Sequence, residues 1–261
     1  MSLLLNTFRF MIPMNYFWAS RLRDRRALLS LVALEWMPQL LVLAALSAMA
    51  TATIPLYLGL AYLAFISVYE IGYLTNDIIS VRFEENPRKR FEGREPSLVQ
   101  FFIWILARIG VFTGLTVGMG LHGEWWWWAF FGALTVVFGL HNFLKDNALR
   151  VGTFVGLAMG RILAPLLPFL AMETLRSLLV PFFLNYVLFR LLAYMESKEL
   201  LKIPGRRSGR FRIGFYLVLL PVSAMVAVVD QSPLALAVNG YYLLFWVLLT
   251  AVMGFMSRRS G

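Results

Sequence analysis

Apolar residues in this chain gather into stretches of about 20, separated by short polar breaks, and each stretch suffices to cross a hydrocarbon core. Eight spans are expected, near 29–50, 53–75, 98–121, 125–143, 151–171, 175–195, 212–229 and 234–256. The pattern predicts an all-α polytopic transmembrane bundle, with 1–261 forming a single integral membrane domain. Residues 1–26 precede the first span. They place Phe8, Phe10, Met11, Met14, Phe17 and Trp18 among polar positions and end in Arg21, Arg23, Arg25 and Arg26. Such amphipathicity predicts an interfacial N-terminal helix in the membrane plane. Residues 27–261 form the bundle.

Composition supports a membrane protein. Of the 261 residues, 60% are hydrophobic and 15% charged, whereas soluble domains carry roughly 45–50% and about 25%. A soluble enzyme is excluded. The net charge of +10 acquires a meaning once the spans are drawn. With eight spans, 20 of the 24 basic residues fall on one side and only Arg176 on the other, while Arg108, Arg161 and Arg190 lie inside spans. The positive-inside rule then places both termini and the loops 76–97, 141–150 and 196–212 in the cytoplasm, with the protein in the inner (cytoplasmic) membrane. The charge needs no nucleic-acid partner to explain it, because orientation and contact with anionic lipid account for it. The opposite face carries the run Trp125-Trp126-Trp127-Trp128, an interfacial anchor. There are no cysteines, so disulfides and thiolate chemistry are excluded.

Charges inside a bilayer are costly and mark either a paired site or a function. Glu35, Glu70, Arg108, Arg161 and Arg190 are the candidates. One reading is a buried ion pair, such as Glu70 with an arginine; five together favour a polar cavity open to one side. The segment from Tyr69 to Arg94 carries the most chemistry. On a continuing helix Asn76, Ser80 and Glu84 share a face, and Asp77 flanks them. Oxygen ligands at that spacing suit Mg²⁺. Arg88, Lys89, Arg90 and Arg94 follow and suit phosphate oxygens. The plainer reading is a solvated helix end with an orienting basic loop. His122 and His141 read as helix-end residues.

Asn76-Asp77-x-x-Ser80-x-x-x-Glu84 resembles the first aspartate motif of the UbiA superfamily of intramembrane prenyltransferases. The tail Asn86-Pro87-Arg88-Lys89-Arg90-Phe91 is similar to that of the decaprenyl-phosphate phosphoribosyltransferase branch. So are Asn142-Phe-Leu-Lys145 followed by Arg150 to Arg161, and Tyr194-Met-Glu196-Ser-Lys198-Glu199-Leu200 with its basic loop. The family commonly has nine helices and a second aspartate motif. This chain shows eight spans, lacks the second motif, and has Ser80 and Glu84 where the family has aspartates.

The resemblance implies a transferase around a cytoplasm-facing cavity, moving phosphoribose from phosphoribosyl pyrophosphate to a polyprenyl phosphate with Mg²⁺. Asn76, Asp77 and Glu84 are the implied catalytic and metal-binding residues. Arg82, Arg88, Lys89, Arg90, Lys145 and Lys198 are implied to hold the diphosphate. Glu70, Tyr73, Ser80, Arg161, Arg190 and Glu199 are the candidates for the acceptor pocket or cavity. Two rival readings stand beside it: a prenyltransferase acting on a prenyl diphosphate and a small acceptor, and a catalytically degenerate relative that binds lipid or a partner protein. A homo-oligomer or a membrane partner is left open.

Overall fold

The expected spans form helices, and their boundaries follow the local chemistry. The computed structural model describes residues 8–22, 24–83 and 96–259. These comprise α1 (Asn15–Arg21), α2 (Arg25–Leu31), α3 (Met37–Leu46), α4 (Ile54–Ile78), α5 (Leu98–Gly118), α6 (Trp125–Phe143), α7 (Leu149–Leu163), α8 (Met172–Phe182), α9 (Leu188–Ser197), α10 (Gly209–Val229) and α11 (Leu234–Arg259). No strand occurs among the described residues. Seven helical segments are long and apolar enough to cross a membrane. The 19-residue α6 lies outside that set, because four tryptophans and a His-Asn end lower its mean hydropathy.

Helix ends are set by capping. Ser97 and Gln100 form a reciprocal capping box at the start of α5, and Ser208 accepts from the Phe211 N–H at the start of α10. Helix α5 stops at Gly120, whose φ of 74° lets its N–H reach the Val117 carbonyl while Leu121 bonds back to Thr116. The fifth expected span is shorter than its apolar run: Pro165 sits in a 3-10 turn, Ala164–Leu166, because proline cannot sustain the α ladder.

Two π-helical segments, Val32–Trp36 and Phe183–Val187, interrupt otherwise continuous helices. Pro38 accounts for one side of the first. It has no N–H to offer the Leu34 carbonyl four residues back. The Met37 N–H bonds to Val32 instead, leaving the Ala33 carbonyl without that donor as well. Both carbonyls find partners on α11: the Tyr241 hydroxyl donates to Ala33 at 2.6 Å and Tyr242 to Leu34 at 2.8 Å. At the second segment the Tyr216 hydroxyl donates to the Asn185 carbonyl at 2.9 Å. The two interruptions matter because Glu35 lies within the first and Arg190 just after the second.

Helix α4 is the central element and packs against α1, α3, α5, α6 and the Ala164–Leu166 turn. Its residues Ala61, Ala64, Phe65, Ile66 and Leu74 are fully buried. Helices α10 and α11 pair along their length, and α11 also packs on α8. Apolar residues also cover the outside, including Phe102 and Leu106 on α5, Val218 and Val228 on α10, and Leu248 on α11. Helices apolar on both faces belong in lipid.

The N-terminal segment departs from the interfacial expectation. Phe8, Ile12 and Trp18 are exposed, but Tyr16, Phe17, Ser20 and Leu22 are buried within the bundle. Their burial has a polar cause, described below: backbone and side-chain groups of this segment bond to charges on α4 and α5.

Where α4 meets α6 the backbones approach closely at Gly72. A methyl group there would overlap the Phe138 ring, and Asn142 donates to the Gly72 carbonyl at 3.0 Å. Gly72→Ala is therefore expected to destabilise the protein by about 1–3 kcal/mol, read as a lowered Tm in detergent micelles; an unchanged Tm would contradict this contact.

Candidate functional site

Three carboxylates carried by membrane-spanning helices organise the interior. Glu35 is 2% exposed and bridges two arginines: its Oε2 lies 2.5 Å from Arg161 Nε and its Oε1 2.8 Å from Arg190 Nη1. Arg161 also donates to the Tyr73 hydroxyl at 3.2 Å, and its guanidinium lies 4.9 Å from the Phe17 ring centre. Gln39 donates to the Ile162 carbonyl at 3.0 Å, next to Arg161.

Glu70 and Arg108 form the second pair, both completely buried, with Oε2 2.7 Å from Nη2. This pair also binds the N-terminal segment. The Phe17 N–H donates to Glu70 Oε1 at 2.5 Å, and Arg108 Nη1 donates to the Phe10 carbonyl at 2.7 Å. Of the two readings of Glu70, the structure supplies the ion pair.

Asp77 is the third. The Tyr16 hydroxyl donates to its Oδ2 at 2.6 Å, and Arg21 Nη2 lies 2.9 Å from the same oxygen. Asn76 Nδ2 donates to Oδ1 at 2.9 Å. The Asp77 side chain is 3% exposed.

Beside this third cluster lies a cavity of about 490 Å³. Its polar wall carries Arg21 from α1, Asn76 and Asp77 from α4, Arg150 from α7, Arg190 and Tyr194 from α9, and Lys198 just beyond. Tyr69, Tyr73, Phe138, Phe154 and Leu157 give it an apolar side. Together with the adjoining Glu35 and Arg161, five cations face two carboxylates. Arg150 and Lys198 pair with no carboxylate among the described residues. Such a wall suits a multiply charged anion, since fixed cations in a low-dielectric site stabilise it strongly.

The expected site residues divide into three groups. Asn76, Asp77, Tyr73, Arg190 and Lys198 share the cavity. Glu70, Arg161 and Ser80 are buried away from its lining, and Arg82, Lys145 and Glu199 are exposed and do not line it. Glu84, Arg88, Lys89 and Arg90 lie outside the described residues. Ser80 does not continue the α-helical face of Asn76, because α4 ends at Ile78 and a 3-10 turn runs over Ser80–Phe83. In the sequence Arg21 reads as an orientation charge, Arg150 as an orientation charge that also opens a stretch resembling the family, and His141 as a helix-end residue; all three line the cavity. No local signal distinguishes Arg21 from the other basic residues.

The described donors do not by themselves fit Mg²⁺: among the described residues no three acidic or histidine side chains cluster. The one described carboxylate of the implied set, Asp77, already receives a hydroxyl, a guanidinium and an amide. A guanidinium at 2.9 Å repels a divalent cation from the same oxygen, and Mg²⁺ dehydrates only for strong anionic ligands. Ser80 Oγ is buried without a partner, but it is a neutral hydroxyl.

Two outcomes test these networks. Glu35→Ala leaves the buried Arg161 and the half-buried Arg190 without their counter-ion and is expected to cost about 3–5 kcal/mol, read as a lowered Tm in micelles; equal stability would contradict the bridge. Glu70→Ala is expected to release the N-terminal segment, read as faster hydrogen exchange at Phe17; unchanged protection there would show that other contacts hold it.

In comparisons with known proteins, no family model, curated protein or solved structure matches the chain.

Proposed function

We propose that this protein is a UbiA-type intramembrane transferase whose basic cavity receives the diphosphate of a phosphorylated donor. In the same reading a polyprenyl phosphate lipid accepts a phosphoribosyl group. One observation carries it: residues from five separate helical regions, including Asn76, Asp77, Arg190 and Lys198, meet at one cavity with an excess of cations. Asn76, Asp77 and Lys198 belong to the stretches that resemble the family, and Arg190 is a charge inside an apolar span.

The chemistry follows from the wall. Arg150, Arg190 and Lys198 neutralise the negative charge that grows on a departing diphosphate. Held by the helices that carry them, they act with little reorganisation during the reaction. Departure leaves an electron-poor carbon, and the ring faces of Tyr69, Tyr73 and Phe138 offer a non-nucleophilic surface beside it. The cavity lies where the ends of α1, α4, α6 and α9 meet the start of α7. These ends carry the basic loops, so the positive-inside rule puts the opening in the cytoplasm.

A second reading, a relative that binds a lipid or partner without catalysis, has its own observation: Asp77 is committed to Tyr16 and Arg21. One assay separates the two. Purified protein is incubated with labelled phosphoribosyl pyrophosphate and a polyprenyl phosphate, and in parallel with farnesyl diphosphate and an aromatic acceptor. A labelled lipid product is expected in the first, reduced at least about tenfold by Lys198→Ala. Product only in the second assay identifies a prenyltransferase. Absence of product in both overturns the transferase reading and favours the non-catalytic one.

A further inference from the structure

The wall of the cavity holds donors that the protein itself leaves unused. Arg21 Nη1 and the Tyr194 hydroxyl are buried and have no hydrogen-bond partner, and both residues line the cavity. Burying such a donor unpaired costs about 1–3 kcal/mol, and more when it is charged. Arg150 and Lys198 add two cations that pair with no carboxylate among the described residues. Arg190 is half-satisfied: one nitrogen bonds Glu35, yet the side chain is 38% exposed and reaches the cavity. Four cations and a hydroxyl therefore converge on one volume whose described lining supplies a single carboxylate, Asp77.

Asp77 does the reverse. It is the only carboxylate among the described lining residues, and it is turned to Tyr16, Arg21 and Asn76. Its bonds fasten α1 to the end of α4 and aim Arg21 at the cavity. It is a positioning residue.

From this geometry we infer that the cavity binds a diphosphate group directly, through Arg21, Arg150, Arg190, Lys198 and the Tyr194 hydroxyl, without a divalent metal between. The inference rests on the proposed reading of the cavity as a phosphate site and deepens it by specifying how the anion is held. It also makes the N-terminal segment part of the binding site, because Arg21 comes from α1. The diphosphate belongs either to a soluble sugar donor or to a lipid head; the recognising chemistry is the same.

The experiment uses purified full-length protein in nanodiscs, titrated with inorganic pyrophosphate by calorimetry, once with excess EDTA and once with Mg²⁺. Binding in EDTA is expected to be as tight as with Mg²⁺, or up to about threefold tighter, because Mg²⁺ also complexes pyrophosphate in solution. Lys198→Ala and Arg150→Ala are each expected to weaken it about tenfold. Asp77→Asn is expected to tighten it by roughly two- to fivefold, since a negative charge leaves the wall.

Binding that requires Mg²⁺, and that Asp77→Asn abolishes in correctly folded protein, overturns the inference and leaves the transferase reading standing. The EDTA arm on the unaltered protein decides this even if a variant fails to fold. Failure of pyrophosphate to bind in either condition also overturns it; the transferase reading then stands or falls separately on product formation. Displacement of bound pyrophosphate by phosphoribosyl pyrophosphate marks a soluble donor, and by farnesyl diphosphate a lipid head; either supports the inference.

Discussion

Glu35 holds two arginines from two other parts of the bundle, and the rest of the interior is arranged around that need. Charge within an apolar bundle survives only when paired and hydrogen-bonded. Arg161 on α7 and Arg190 on α9 meet the same carboxylate from α2's continuation, so three distant stretches of chain are brought to one point. Two π segments lie beside this junction, and tyrosines from α10 and α11 supply donors to the carbonyls they free. Pro38 shows the local cause and Tyr242 the remote answer. Irregular backbone is tolerated inside a membrane protein only where neighbouring elements satisfy it in this way.

The same physics explains the N-terminal segment. A stretch with exposed Phe8 and Trp18 resembles an interfacial helix by composition. Glu70, Arg108 and Asp77 nevertheless capture the Phe17 N–H, the Phe10 carbonyl and the Tyr16 hydroxyl. Buried charges rarely find all their partners on each other, and here the surplus bonding capacity draws in a segment of backbone. As a result α1 becomes a wall of the cavity, and one of the cavity's cations belongs to it. Asp77 joins α1 to the end of α4 beside the cavity.

Cavity chemistry and motif resemblance agree on phosphate and diverge on metal. Asn76, Asp77, Arg190 and Lys198 assemble where a diphosphate-handling site is expected. Asp77, which the resemblance implies as a Mg²⁺ ligand, is engaged by Arg21. In the proposed reading a wall rich in arginine and lysine substitutes for a metal in charge, although not in geometry, since guanidinium and ammonium groups direct hydrogen bonds where Mg²⁺ directs a compact octahedron.

Much of the architecture was legible in the order of residues. Lipid imposes a length and an apolarity on every span, and these are local, additive properties, so the helices at 98–118, 209–229 and 234–256 fall close to where hydropathy put them. The in-span charges at Glu35, Glu70, Arg108, Arg161 and Arg190 were equally visible, because each breaks an apolar run. Their partners were not. Whether Glu70 meets Arg108 or Arg161 depends on which helix faces come together and how far a side chain reaches, and no periodicity contains that. Arg21 and Arg150 looked like two more orienting charges, while Lys145, only five residues from Arg150, stayed on the exterior. Hydropathy and charge placement determined the membrane bundle; packing alone decided which charges pair and which face the cavity, because pairing depends on distance in space and not on distance along the chain.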